Sequence, residues 1–192
     1  TGIDIFKRHI EKNNGLMVLN SHYGVSHAAQ IIISRLGHAL NTIQASSLYN
    51  DLDIQNHNII VEDVAGNFPA KVVAVGCSVL EKKKLLHMTG EGVTKSSGKK
   101  YPFLQKQWHF PNGFAYMIER TGATCLPIII SIEADGVLHL SFKPRIAPNK
   151  DIDDRNTRID KMVQRYVHIL KHAWRTDPAN IRPIIIQNYL EL

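Results

Sequence analysis

Cysteine is scarce in this chain: Cys77 and Cys125 are the two in 192 residues, each inside an apolar segment and neither with a second Cys or His at metal-ligand spacing. That argues against a disulfide framework or a cysteine-based metal site, and both read as reduced core thiols in a reducing compartment. Long hydrophobic runs are missing too. The longest, Cys125-Leu126-Pro127-Ile128-Ile129-Ile130-Ser131-Ile132, has the length of a strand and contains a proline. A membrane span needs ~18 apolar residues, so none is expected. No signal-peptide pattern follows Thr1. The lack of an initiator methionine leaves open a fragment of a longer chain, whose N-terminal part would be the place for a membrane anchor.

Familiar catalytic signatures are also absent. There is no G-x-S-x-G, no Cys–His nucleophile pairing and no dinucleotide fingerprint. The glycines of Gly90-x-Gly92-x5-Gly98-Lys99 do not have the G-x4-G-K-[ST] spacing of a P-loop. Aromatic residues make up 7% of the chain. Tyr101, Phe103, Trp108 and Phe110 lie near Lys99, Lys100 and Lys106, but prolines and a helix start break the interleaving that single-stranded nucleic acid requires. The lining of an apolar pocket explains these rings at least as well, and no nucleic-acid partner is expected.

Acidic residues are the minority charge, 17 against 23 Lys and Arg, for a net +6. Such a bias suits an acidic partner: a phosphorylated lipid surface, an acidic carrier protein or a nucleic acid. It is spread over Lys82-Lys83-Lys84, Lys99-Lys100 and residues 155–171, and an ordinary solvated surface accounts for it equally.

What the chain does have is alternation of strands and helices. Ile3, Phe6 and Ile10 recur at helical spacing within residues 1–14, and Gly15-Leu16-Met17-Val18-Leu19 reads as a buried strand. Residues 25–36 read as a helix, and 40–46 alternate as a second strand. The Asn-rich stretch 47–68 reads as loop or short helix with an apolar break at Ile59-Ile60-Val61, and 70–83 as helix or strand. Leu85–Thr89 reads as a short strand, followed by a loop whose basic crest, which includes Lys95, is expected to be solvated. A helix over Phe114–Thr121 ends at Gly122, and a strand follows over Leu126–Glu133. Asp135-Gly136 suits a hairpin turn with positive φ at both positions. The return strand is Val137–Phe142, and a long helix runs over Asp151–Arg175 with Asp151 or Asp153 as its cap. One apolar run, Ile184-Ile185-Ile186, remains in the tail. The pattern predicts a single α/β domain over residues 1–192, with a mixed, mostly parallel sheet flanked by helices.

One stretch carries candidate chemistry: Asn20-Ser21-His22-Tyr23-Gly24-Val25-Ser26-His27, between the first strand and the second helix. His22 sits where a strand ends and a helix begins, the edge at which α/β proteins hold their ligands. A neutral imidazole there can take a proton from a hydroxyl nucleophile, or the residue can be a satisfied structural histidine. His27 can orient His22 when neutral or depress its pKa when charged. The i, i+5 spacing of the pair does not suit a metal, and no nearby carboxylate or cysteine completes a site. Glu91, flanked by Gly90 and Gly92 after a strand, is open to close approach; a plain acidic turn residue is the alternative.

With those residues in place, the chain resembles the bacterial late acyltransferases of lipid A biosynthesis, within the wider glycerolipid acyltransferase-like superfamily. Three ordered blocks carry the resemblance. Gly15–Gly24 is similar to an apolar strand followed by His-Phe-Gly. Leu85–Glu91 looks like a strand leading into an acidic residue. Tyr101-Pro102-Phe103-Leu104, Pro111-Asn112-Gly113-Phe114-Ala115 and Arg120-Thr121-Gly122-Ala123-Thr124-Cys125-Leu126-Pro127 are similar to the family's Val-Pro-Phe-Phe-Gly, Gly-Pro-Ala and Arg-Thr-Gly-Ala-x-x-x-Pro series.

The resemblance implies an acyltransferase fold and transfer of an acyl group from an acyl-carrier-protein or coenzyme A thioester to a hydroxyl or amine acceptor, a lipid or glycolipid. It implies no cofactor beyond that donor and no metal. His22 would be the general base, with His27 and Glu91 as further catalytic candidates. Phe103, Trp108, Phe110, Lys100 and Arg120 would bind substrate. A cytoplasmic protein, peripheral on the inner face of the cytoplasmic membrane, would fit that role. The family pattern is His, four residues, then Asp or Glu; here the acid's position is His27. Either another acid such as Glu91 or Asp63 serves His22, or the protein is a non-catalytic lipid- or carrier-binding descendant, or it transfers aminoacyl groups on the same scaffold.

Overall fold

The computed structural model describes residues 1–44, 57–61, 68–91 and 98–190. Its elements are α1 (Ile3–Glu11), β1 (Leu16–Asn20), α2 (Ala28–Arg35), β2 (Leu40–Gln44), β3 (His57–Val61), α3 (Phe68–Glu81), β4 (Leu85–Thr89), β5 (Lys99–Phe103), β6 (Lys106–Phe110), α4 (Gly113–Thr121), β7 (Thr124–Ile132), β8 (Leu138–Phe142), α5 (Arg155–Thr176), a 3₁₀ turn (Pro178–Asn180) and α6 (Pro183–Leu190). Six strands form one sheet in the order β3-β2-β4-β1-β7-β8. The first five are parallel and β8 runs antiparallel at the edge. The mixed, mostly parallel α/β architecture read from the sequence is therefore the one observed.

β1 lies at the centre with all five residues buried, as a continuous apolar run demands when helices cover both faces of a parallel sheet. Its side chains alternate between faces. Met17 and Leu19 join Leu86, Cys125 and Ile129 beneath α3, α4 and α5. Leu16 and Val18 join Leu126, Ile128 and Ile130 beneath α1 and α2. Phe6 of α1 is fully buried there and stacks on Phe142 with ring centroids 4.8 Å apart. Cys77 and Cys125 are both buried and free, as their apolar contexts suggest, and burial pushes both thiols up.

Several local expectations are corrected or resolved. Ile59-Ile60-Val61, an apolar break in a loop or short helix by sequence, belongs to strand β3, paired in parallel with β2. The ambiguous 70–83 segment is helix α3. Tyr101–Phe110 is an antiparallel hairpin, β5–β6, apart from the main sheet. At the β7–β8 turn only Gly136 has positive φ, at 85°. The Gly136 N–H returns to the Glu133 carbonyl and the Val137 N–H to the Asp135 side chain, a three-residue loop with a left-handed glycine. The long helix starts four residues later than expected. Asp154, not Asp151 or Asp153, caps it by accepting from the Thr157 N–H, because it is the residue directly ahead of the first helical turn.

Candidate functional site

β1 and β4 are parallel neighbours with Asn20 opposite Thr89. The two chains therefore leave the carboxyl edge of the sheet side by side. The Gly90 N–H continues the pairing onto the Asn20 carbonyl at 3.0 Å. Two residues beyond each strand stand His22 and Glu91, and the register brings them together.

The His22 backbone N–H donates to Glu91 Oε1. The same oxygen lies 3.6 Å from His22 Nδ1, inside ion-pair range but longer than a hydrogen bond. The Glu91 side chain is 6% exposed and that of His22 is 19% exposed. His22 Nδ1 is itself buried and makes no hydrogen bond among the described residues, so the ring's exposure comes from its other atoms. One carboxylate thus faces the buried ring nitrogen of a partly exposed histidine.

Glu91 is held from behind. Tyr166 of α5, buried with 1% exposure, donates its hydroxyl to Glu91 Oε2 and lies 2.9 Å from the Asn20 carbonyl. Burial first, and the Glu91 charge second, hold the Tyr166 phenol well above its ordinary pKa, so it stays a donor. A side chain at Gly90 would begin 2.6 Å from the Tyr166 ring, so only glycine lets the tyrosine reach the carboxylate.

The loop that carries His22 is pinned at several points. The Asn20 amide donates to the Ser26 carbonyl at 2.7 Å, and Ser21 Oγ accepts from the Tyr23 N–H. Gly24 has φ +60°, and a Cβ there would lie 1.8 Å from the Ile130 carbonyl oxygen. The Tyr23 hydroxyl donates to the Asp177 carbonyl at 2.7 Å, and burial pushes this phenol up to about 12.

His27 occupies the residue before α2 and makes no cap bond with its side chain. Burial, then Arg182, then His22 lower its pKa, so it is neutral at pH 7. It adds no acid to His22. Asp63, the other carboxylate considered as partner, and Gly92 and Lys95 of the loop after Glu91 lie outside the described residues.

The five expected substrate contacts are spread over the β5–β6 hairpin and α4. Phe103, Trp108 and Phe110 are buried in an aromatic cluster with residues of α5 and α6. Phe103 meets Trp174 edge-on at 4.9 Å, Trp108 stacks on Tyr189 at 5.3 Å, and Phe110 meets Tyr166 at 6.4 Å. They pack within the core, and through Phe110 the cluster touches the tyrosine that holds Glu91. Lys100 is exposed on the hairpin, opposite His109. Arg120 pairs with Glu81 at 3.5 Å, at the end of α4 that leads into Thr124. Thr124 is opposite Leu16, at the start of β1, so Arg120 belongs to the edge of the sheet away from His22.

The residue the sequence did not flag is Tyr166. Its helical spacing with Met162, Val163 and Leu170 marks it as core, and nothing local distinguishes its hydroxyl. Among the described residues no group of three or more His, Cys, Asp or Glu could hold a metal ion, and no helix is long and apolar enough to cross a membrane.

No protein-family description matches the chain and no curated protein does. Among solved structures it is similar to the Legionella pneumophila ATPase DotB, with a TM-score of 0.42 and 10% identity over 98% of this chain. The match spans 63% of the DotB chain. What fold and site together define is an α/β protein with a His–Glu pair at the carboxyl edge of its parallel strands.

Proposed function

We propose that the protein is an acyltransferase in which His22 is the general base and Glu91 its carboxylate partner. The reading rests on the resemblance of the ordered blocks around His22, Glu91 and Arg120–Pro127 to the lipid A late acyltransferases. The single observation that supports it most is Glu91 Oε1, 3.6 Å from His22 Nδ1 and bonded to the His22 backbone N–H. A histidine base works best when a carboxylate on its inner nitrogen fixes the tautomer and stabilises the imidazolium. The outer nitrogen then removes the proton from an acceptor hydroxyl or amine as that atom attacks the thioester carbonyl of the donor. The thiolate of the carrier protein or coenzyme A leaves and takes that proton from His22, which regenerates the base.

On this reading Glu91 substitutes for the acid that His27 replaces in the family pattern. It reaches His22 from the neighbouring strand rather than from the following helix. The basic surface, with a net charge of +6, suits an acidic carrier protein or anionic lipid headgroups. No cofactor other than the donor thioester is required. The test is mass spectrometry of products after incubating the protein with acyl-carrier-protein and acyl-coenzyme A donors and a lipid and glycolipid acceptor panel. An acceptor heavier by the acyl group, with free donor thiol, is the expected result. An acceptor carrying an aminoacyl group would redirect the reading to aminoacyl transfer on the same scaffold. Unchanged donor and acceptor across the panel would leave a binding protein.

A further inference from the structure

We infer that Tyr166 is a positioning residue: its buried hydroxyl fixes the Glu91 carboxylate, and through it the His22 ring. The inference rests on the reading of His22 as base and deepens it. A carboxylate has two oxygens, and here they have separate duties. Oε1 receives the His22 backbone N–H and faces the His22 ring. Oε2 receives the Tyr166 hydroxyl. Without a donor on Oε2 the carboxylate could rotate about its terminal bond or turn away from Nδ1. With both oxygens engaged it presents one face to the ring.

Three observations separate this arrangement from a core tyrosine with an incidental partner. Tyr166 is on α5, more than seventy positions along the chain from Glu91 (|i−j| = 75), so no local turn brings the two together. Glycine at position 90 leaves room for the ring, whose nearest atom lies 2.6 Å from a would-be Cβ. The Asn20 carbonyl, which ends β1, lies within 2.9 Å of the Tyr166 hydroxyl and also accepts the Gly90 N–H. The phenol therefore meets both strand ends that carry the pair, and Phe110 and Phe114 fix its ring edge-on. Glu91 and Tyr166 act on the chemistry only through His22.

The experiment is a double-mutant cycle of Tyr166→Phe and Glu91→Gln, read in two ways. The first is acyl-transfer kcat and KM. Tyr166→Phe is expected to lower kcat about tenfold with KM within about twofold, and to add nothing in the Glu91→Gln background. The second needs no turnover: the rate at which diethyl pyrocarbonate modifies His22, followed by peptide mass mapping. That rate is expected to fall about threefold or more in either single variant and no further in the double, since a partner acid raises the nucleophilicity of the outer nitrogen.

Wild-type values for Tyr166→Phe in both readouts would overturn the inference. So would equal losses in the two backgrounds, which mark an additive packing defect. If wild type transfers no acyl group, the acyltransferase reading fails, and the His22 modification series alone decides the role of Tyr166. If Tyr166→Phe does not fold, 3-fluorotyrosine at position 166 keeps ring and hydroxyl while changing the phenol's acidity. A His22 reactivity that changes with fluorination supports the inference, and an unchanged one overturns it.

Discussion

Glu91 grips His22 at two points, accepting its backbone N–H and facing its ring Nδ1 at 3.6 Å with the same oxygen. The contact is a product of register. Asn20 and Thr89 are paired across parallel strands, and the Gly90 N–H on the Asn20 carbonyl carries the pairing one residue further, so the two chains leave the sheet side by side.

Glu91→Gln keeps the shape and one acceptor oxygen but removes the charge. It is expected to lower acyl-transfer kcat by about 10–100-fold, within the range that general-base assistance supplies, while leaving the far-UV circular dichroism unchanged. Steady-state kinetics on the purified variant check this. A kcat within about twofold of wild type would remove Glu91 from the account.

His27→Glu introduces the residue type that the lipid A late acyltransferases, which the sequence resembles, carry at this place. Because Glu91 already faces Nδ1, no gain is expected: the rate stays within about threefold or falls, as a second carboxylate close to His22 competes for it. A tenfold increase would mean that His22 lacks a working acid in the natural chain.

The pH dependence of stability has a definite sign. His27 and His9 both have folded-state pKa values below the ordinary 6.5, chiefly through burial. The unfolded chain therefore takes up these protons first as pH falls. Stability rises with pH through that window and is lost as pH drops below 6.5. Thermal unfolding between pH 7.5 and 5.5 is expected to show a smaller decrease in Tm for His27→Gln than for wild type. Parallel decreases would contradict the assignment.

Gly24 is required by backbone geometry. Its φ of +60° and the 1.8 Å approach of a would-be Cβ to the Ile130 carbonyl make Gly24→Ala strained twice over. A loss of about 1–3 kcal/mol is expected from the left-handed φ alone, read from urea unfolding at unchanged m. A change within about 0.5 kcal/mol, the range of an ordinary surface substitution, would show that the loop relaxes freely.

Much of the frame was legible in the sequence because it rests on local patterns. The Gly15–Leu19 run, the 25–36 helix, the strand before Gly90 and the helix ending at Gly122 all emerge within a few residues of their observed limits. The hairpin of β5 and β6 was not legible. Its two-residue turn places Leu104 at φ 53°, where sequence rules call for Asn or Gly. Tertiary contacts hold that turn: Tyr189 of α6 accepts the Gln105 N–H at 3.1 Å and donates to the Phe103 carbonyl. β3 was hidden for a similar reason, since a short apolar triplet among asparagines becomes a strand only by pairing with β2.

At the site, His22 and Glu91 could both be named from their positions after strands. Their meeting depends on which strands are neighbours, and only the fold specifies that. Tyr166 could not be named at all, because a helix face of Met162, Val163 and Leu170 gives no sign that one hydroxyl among them reaches a carboxylate. Conversely, Phe103, Trp108 and Phe110 have the composition of a pocket lining, yet their partners Trp174 and Tyr189 arrive from the distant end of the chain and bury them.

The most direct measurement is transfer of a radiolabelled acyl group from acyl carrier protein or coenzyme A to a lipid acceptor, wild type against His22→Ala. The account predicts transfer by wild type and a fall of about 10²–10⁴-fold in the variant, the usual worth of a general base. Equal turnover by the two proteins would contradict it.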